Sequence, residues 1–267
     1  MATLEENKQY WDVTYPWTRQ GDEWSAAWGG VDQQWYWVLL PRIHAFVPTG
    51  TILEIGPGFG RWTQFLKDLC ENLIIIDLSE KGIETCKQRF DTCSNITYHV
   101  NDGKSLEEIP DSSVDFVFSF DSLVHAEEDA IHAYISQLAT RLKDNGVAFI
   151  HHSNLGTYSN YFRFANRIRW KRNFLINSGL IQQDHWRASS MSAAKFEAYV
   201  EEAGLQCISQ EIINWGGENL IDCISVFTRK DSIWARPNKT IMNKEFMREA
   251  KYVSKLAELY GVNTRAP

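Results

Sequence analysis

The sequence predicts an α/β fold, a doubly wound and mostly parallel sheet with helices on both faces. Three observations carry this. Between residues 51 and 151, five short apolar runs alternate with helical patterns, the order that covers both faces of a parallel sheet. The first run ends in a glycine-rich loop, Gly56-Pro-Gly-Phe-Gly60, directly ahead of a helical pattern. Two later runs, residues 206–213 and 220–228, are joined by Asn214-Trp-Gly-Gly-Glu-Asn219, a connection short enough for an antiparallel hairpin. With both hairpin strands counted, the sheet has seven strands.

The elements follow in order. Residues 1–47 form an aromatic-rich extension that holds Trp11, Trp17, Trp24, Trp28, Trp35 and Trp37 of the chain's eleven tryptophans. Each such ring either packs a core or lines a pocket, and for any one of them packing is the default. Residues 33–46 read as a helix, ended by Pro48-Thr-Gly50. Residues 51–55 are strand one, with a helix at 61–69 behind the glycines. Residues 73–77 are strand two, an apolar run suited to burial on both faces. Ser79 caps a helix that reaches Phe90. Strand three is 96–100. Strand four is 114–120, opened by Pro110-Asp-Ser-Ser113, and a helix over 127–142 follows. Asp144-Asn-Gly146 turns into strand five, 147–151. The alternation breaks over 153–190, then resumes with a helix at 192–203 and the hairpin. Residues 231–267 read as a tail with a helix at 244–260. The expected organisation is an extension (1–47), a ligand-binding domain (48–230) carrying an insertion (153–190), and the tail.

Composition excludes some functions. The net charge of −7 argues against non-specific binding to nucleic acid or to anionic membranes. No run approaches the eighteen or so apolar residues of a membrane span. The acidic start, Met-Ala-Thr-Leu-Glu-Glu, lacks a signal-peptide core. The five cysteines form no CxxC pair, which suits reduced thiols in a cytoplasmic protein.

The stretch Thr51-Ile-Leu-Glu-Ile-Gly-Pro-Gly-Phe-Gly-Arg61 is the most specific motif. Glycines at 56, 58 and 60 let the backbone turn sharply and approach a ligand, and a following helix N-terminus adds N–H donors. A dinucleotide loop needs G-x-G-x-x-G, but the position three after Gly58 is Arg61. The pattern E-x-G-x-G-x-G instead resembles motif I of the class I S-adenosyl-L-methionine (SAM)-dependent methyltransferases, whose last strand inserts antiparallel, as the hairpin here suggests. Further stretches, such as Trp28-Gly-Gly and Pro41-Arg-Ile, resemble bacterial methyltransferases of glycan and secondary-metabolite clusters.

The resemblance implies a site at the carboxyl ends of the strands, where open α/β sheets bind ligands. Glu54, Gly56, Gly58 and Gly60 would surround the methionine end of SAM. Asp77 would accept from both ribose hydroxyls and Leu78 would pack on adenine. Asp102, beside Gly103, would accept from the adenine N6 amine. Phe120 and Asp121 would lie beside the reactive methyl. Taken singly, each acid is an ordinary turn former; their order in one βαβ series makes the pattern specific.

Methyl transfer to a hydroxyl gains from a base, and histidine suits neutral pH. His125 follows strand four, and His151-His152 follows strand five. The expected base is His152 or His125, with Asp121 orienting one of them or the substrate; His185 is a weaker third candidate. His44, His99 and His132 fall in elements and receive no role. Glu127, Glu128 and Asp129 read as the acidic first turn of a helix. No metal is expected, although Asp121 with a histidine would supply part of such a site. Between residues 158 and 172, Arg163, Arg167, Arg169, Lys171 and Arg172 interleave with aromatics. This strip reads first as the solvated face of an amphipathic helix, and otherwise as a grip on an anionic small substrate or on RNA. With the N-terminal extension it is placed to form a lid. The expected function is SAM-dependent O-methylation of a small-molecule acceptor, a sugar or secondary metabolite. The alternatives are N- or C-methylation of another metabolite, or SAM binding without catalysis.

Overall fold

A computed structural model describes residues 4–167 and 182–260, the side chains of 164–167 aside. It contains one sheet, in the order β3-β2-β1-β4-β5-β7-β6-β8. The strands are β1 (Thr49–Ile55), β2 (Cys70–Asp77), β3 (Ile96–Val100), β4 (Val114–Ser119), β5 (Leu142–Ser153), β6 (Leu205–Ile213), β7 (Asp222–Arg229) and β8 (Lys239–Asn243). Strands β1 to β5 are parallel. As expected, β7 runs antiparallel, wedged between β5 and β6.

The eighth strand corrects the seven-stranded expectation. Lys239–Asn243 lies within the presumed tail, yet pairs in parallel with β6, Ser209 opposite Lys239. A domain boundary at residue 230 would therefore cut the sheet. After β8, the helix Phe246–Tyr260 returns over the N-terminal helical turns and buries Phe246, Ala250 and Val253.

Both faces of the sheet are covered, which is why its central strands read as unbroken apolar runs. On one face Ile52, Ile75, Phe116, Phe118 and Phe149 pack against Trp28, Trp35, Leu39 and Ile43 of the N-terminal extension and against the helix Glu80–Arg89. On the other, Leu53, Ile76, Val117, Ala148 and Ile150 meet Ile131, Ile135 and Leu138 of the helix Glu128–Arg141. Phe196 and Val200 of the helix Ala193–Glu202 join this second core. Two helix starts are capped by serine, the first of them, Ser79, as the sequence suggests. Ser79 accepts from the Gly82 N–H at 2.8 Å and Ser192 from the Lys195 N–H at 3.2 Å. Behind the glycine loop the expected nine-residue helix shrinks to a single turn, Thr63–Leu66.

The tryptophans divide between the two expected roles. Trp28 and Trp35 are core residues, the latter stacked on Phe65 at 4.8 Å. Trp11, Trp17 and Trp24 lie over the strand tips instead.

Candidate active site

The tips of β1, β2 and β4 meet the N-terminal segment around a pocket lined by Gly56, Gly58, Asp77, Phe120 and Asp121, with Trp11, Trp17 and Trp24 as its outer wall. Gly56, Gly58 and Gly60 all hold positive φ, at 74°, 57° and 87°, a conformation that glycine adopts without penalty. They serve different ends. A Cβ on Gly58 would press on the Trp17 ring, 3.3 Å away, whereas one on Gly60 would strike Phe90 at 2.5 Å. Gly58 thus opens the backbone to the pocket, and Gly60 lets the loop pack against Phe90 at the end of the helix Glu80–Arg89.

Asp77 stands at the end of β2 as expected. Its carboxylate accepts from the Gly58 N–H at 3.1 Å and the Ser79 N–H at 2.9 Å. Burial pushes its pKa up to about 6, against those two donors. Asp12, from the N-terminal segment, bonds the Ser79 hydroxyl beside it. An adjoining pocket is lined by Leu78, Gly103, Ile76 and Tyr134 and closed by Leu4 and Asn7. These apolar walls suit an adenine ring.

Glu54 is buried and receives the Thr63 hydroxyl at 2.6 Å. It lies behind the pocket wall. Burial raises its pKa to about 8, so the folded chain keeps a proton that the unfolded chain releases above its ordinary value of 4.5. Stability therefore falls as pH rises through that window, by at most about 1.4 kcal/mol per pH unit. Glu54→Gln keeps an acceptor for Thr63 and is expected to remove this slope; urea unfolding at both ends of the window checks it.

Asp102 does not take the expected position. It is exposed and outside the pocket lining, its carboxylate spent on the backbone N–H groups of Lys104 and Ser105 at 2.9 and 2.7 Å. Those donors hold its pKa below the ordinary value. Its neighbour Asn101 turns inward, donating to the Tyr134 hydroxyl at 2.9 Å.

The two histidine candidates separate sharply. Successive strand residues face opposite sides, and His152 points into the second core. It stacks on Phe196 at 4.0 Å, and its ring nitrogens face the Ser153 carbonyl oxygen and the Ser225 hydroxyl at 2.9 and 2.8 Å. Burial pushes its pKa down to about 3. It is a core residue, not a base. His151 faces the site side, fully buried behind Phe120, on which it stacks at 4.5 Å.

His125 lies where the donor pocket meets a second chamber of about 800 Å³ lined by Tyr10, Trp11, Trp24, Trp186 and Trp215. Its Nδ1 lies 2.9 Å from the Trp186 carbonyl oxygen, so this nitrogen carries the proton. Nε2, the remaining lone pair, makes no hydrogen bond among the described residues. Burial, aided by Arg187, pushes its pKa down to about 4. His185 also lines the chamber, with its pKa lowered by burial.

Asp121 orients neither histidine through its carboxylate. Its backbone stands at φ +64°, and its N–H donates to His151 Nδ1 at 3.2 Å. The side chain lies between two guanidinium groups that sequence reasoning overlooked. Arg61 Nη2 donates to Oδ2 at 2.9 Å, and Arg187 Nη2 lies 3.6 Å from Oδ1. Arg187 also grips buried Asp222 through Nε and Nη2, both at 2.9 Å. Burial alone would raise both carboxyl pKa values, but the arginines hold them below the ordinary range. The signal for Arg61 was its place directly after the glycine loop. For Arg187 it was the acid Asp222 inside an otherwise apolar strand, which demands a buried partner.

Among the described residues, no cluster of three or more histidine, cysteine, aspartate or glutamate side chains is set to hold a metal. No described helix is long and apolar enough to cross a membrane. All five cysteines are unpaired. Of the basic strip only the Arg163 side chain is described, bonded to Asn160. The side chain of Arg167, together with Arg169, Lys171 and Arg172, lies outside the described residues.

Comparison with known proteins agrees with this geometry. Residues 52–146 match a family profile described as a methyltransferase domain. Phosphoethanolamine N-methyltransferase 1 of Triticum aestivum is 32% identical over 118 residues, 42% of this chain and 24% of that protein. Ribosomal RNA small subunit methyltransferase A of Coxiella burnetii is 31% identical over 72 residues, 26% of this chain and 28% of that protein. The matches thus span about a quarter of the length of these curated relatives. The PH0226 protein of Pyrococcus horikoshii OT3 superposes with a TM-score of 0.58 at 16% identity, over 84% of this chain and 99% of that one. A SAM-dependent methyltransferase of Leishmania major also gives 0.58, at 12% identity, over 84% of this chain and 82% of that one. These likenesses establish the fold. Residues 52–146 thus resemble a methyltransferase domain, and the fold around them is shared with a solved SAM-dependent methyltransferase.

Proposed function

We propose that the protein transfers the methyl group of SAM to a hydroxyl of a small molecule, a sugar or secondary metabolite, with His125 as the base. The observation that carries this is the position of the unpartnered His125 Nε2 at the junction of the donor pocket and the aromatic chamber. The sulfonium methyl is already activated, so the protein's task is to align the acceptor and exclude water. Aromatic walls suit the apolar face of a sugar ring or a planar metabolite. Asp77, with the adenine-shaped pocket behind it, holds the adenosyl part. Residues 4–24 close over that part as a lid.

A second reading is N-methylation. The rings of Tyr10, Trp11, Trp24, Trp186 and Trp215 also suit a cationic amine, and one relative is named as a phosphoethanolamine N-methyltransferase. SAM binding without turnover is the third.

Calorimetric titration with SAM and its demethylated product, followed by an acceptor panel, separates these. Binding with turnover on hydroxyl acceptors supports the first reading. Turnover on amines alone selects the second, and binding with no turnover on either class selects the third. Asp77→Ala is expected to weaken SAM by about 10–100-fold, since the ribose hydroxyls lose their acceptor. Unchanged affinity would remove Asp77 from the site.

A further inference from the structure

We propose that His151 is a positioning residue of the methyl-transfer site. Its Nδ1 holds the peptide N–H of Asp121, and this bond fixes the tip of β4 in the turn that carries His125 to the junction of the two pockets. The role rests on the reading of that junction as the place of methyl transfer, and it adds the buried groups that keep the junction in shape.

Asp121 stands at φ +64°, a left-handed conformation that a non-glycine residue keeps only where its surroundings hold it. Directly after it, Ser122 opens the single turn Leu123–His125, whose His125 N–H donates to the Ser122 carbonyl at 3.3 Å. So short a connection leaves little slack, and the direction of the chain at Asp121 decides where the His125 ring stands. The Asp121 N–H is tied to His151 Nδ1 at 3.2 Å. Nδ1 accepts this bond, so the ring proton lies on Nε2, which faces Asp222 Oδ2 at 3.4 Å. The ring has no freedom of its own. Phe120 stacks on it at 4.5 Å, Trp215 lies at 5.7 Å, and His151 is fully buried. Enclosed in this way it cannot touch a methyl acceptor, and its effect runs through Asp121.

Asp222 ties the other side of the junction to the same point. Besides facing His151, its carboxylate holds the Arg187 guanidinium. Arg187 in turn lies between two residues that grip the His125 turn. The Trp186 carbonyl faces His125 Nδ1 at 2.9 Å, and the Ala188 N–H donates to the Val124 carbonyl at 2.9 Å. One buried acid thus steadies the backbone under His125 through His151, and the carbonyl that orients the ring through Arg187. A polar ring enclosed in an apolar layer is costly unless its nitrogens are engaged, and here each nitrogen meets a group that shapes the junction.

Nuclear magnetic resonance on isotope-labelled protein tests this without a methyl acceptor. The wild-type spectrum is expected to show a scalar coupling between the Asp121 amide nitrogen and an unprotonated His151 Nδ1. The Asp121 amide proton and the His125 Nδ1 proton should both exchange slowly with water. Two variants separate positioning from packing. His151→Asn keeps an acceptor at about the place of Nδ1, whereas His151→Gln carries its polar atoms out to about the place of Nε2 and leaves none for the Asp121 N–H. His151→Gln is expected to speed exchange at both protons by about 10-fold, the factor for one lost hydrogen bond. It is also expected to lower kcat by up to about 100-fold, the effect of misplacing a reacting group by about an ångström, with KM for SAM little changed. His151→Asn is expected to restore most of both. A protonated Nδ1 in the wild-type protein, or no coupling to the Asp121 amide, would overturn the proposal and needs no variant to fold. Equal exchange rates and equal kcat in the two variants would also overturn it, since the loss would then be of packing alone. The expected coupling and exchange pattern in a protein that methylates no member of the acceptor panel would support the tie through His151 and remove His125 as a base.

Discussion

Asp222→Ala is expected to destabilise the fold by about 3–5 kcal/mol, the usual result of stripping one partner from a buried ion pair. Arg187 is fully enclosed, and its best hydrogen bonds run to Asp222 through Nε and Nη2. Without that carboxylate it keeps, among the described residues, Asp121 at 3.6 Å, the His185 carbonyl at 3.4 Å and the face of the Trp215 ring at 5.1 Å, none of which repays the desolvation of a whole charge. Asp222→Asn keeps some of the hydrogen bonding and is expected to lose less. The pH dependence has a definite sign. Burial pushes the Asp222 carboxyl up but Arg187 and His151 hold it below 3.8 overall, so its contribution is complete above that value and is lost as pH falls further. Urea unfolding near neutral pH measures the cost directly. A loss under about 1 kcal/mol, the usual range for exposed pairs, would mean that water reaches Arg187.

The same pair shows where the sequence was legible and where it was not. Strands β1, β2, β4 and β5 could be read because their central residues are buried on both faces and form apolar runs, whereas β3 is a half-exposed edge strand read from its place in the alternation. Burial on both faces also hides the direction in which a polar side chain points. His151 and His152 are adjacent and identical in chemistry, and no alternation of polar and apolar neighbours shows which faces the site. The choice fell on the one that stacks in the core. The eighth strand was illegible for the opposite reason: Lys239–Asn243 is a short edge strand, largely exposed, with no apolar face to reveal it. Asp102 and Asn101 are likewise neighbours at a strand end, and only the turn that spends Asp102 on two backbone N–H groups decides which turns inward. Gly56, Gly58 and Asp77 stand in the pocket lining at the strand ends, because their positions depend on backbone geometry that the motif itself dictates. Arg61 and Arg187 come together only through the tertiary fold, 126 positions apart. Asp222, an acid in the apolar run over 220–227, was the trace they left.

His125→Ala is expected to lower kcat by about 10²–10⁴-fold, the usual contribution of a positioned base. Affinity for S-adenosylhomocysteine should stay within a small factor, since the ring's lone pair faces the junction with the acceptor chamber. The pH profile tests the assignment independently. A base works in its neutral form, and burial, with Arg187 nearby, holds the His125 pKa down to about 4. The wild-type rate is therefore expected to show no acid limb near the ordinary histidine value of 6.5, because the ring is already neutral there. Folding carries the matching sign: the unfolded chain binds a proton at this residue that the fold refuses, so stability declines as pH falls from 6.5 towards 4. His152→Ala provides the control. It removes a stacked ring and the contact with Ser225 from the second core, so unfolding should become easier while turnover per folded molecule holds. The reverse pattern, with His125→Ala fully active and His152→Ala dead though folded, would transfer the proton to a residue that the strand turns away from the pocket. The fold as described could not accommodate that chemistry.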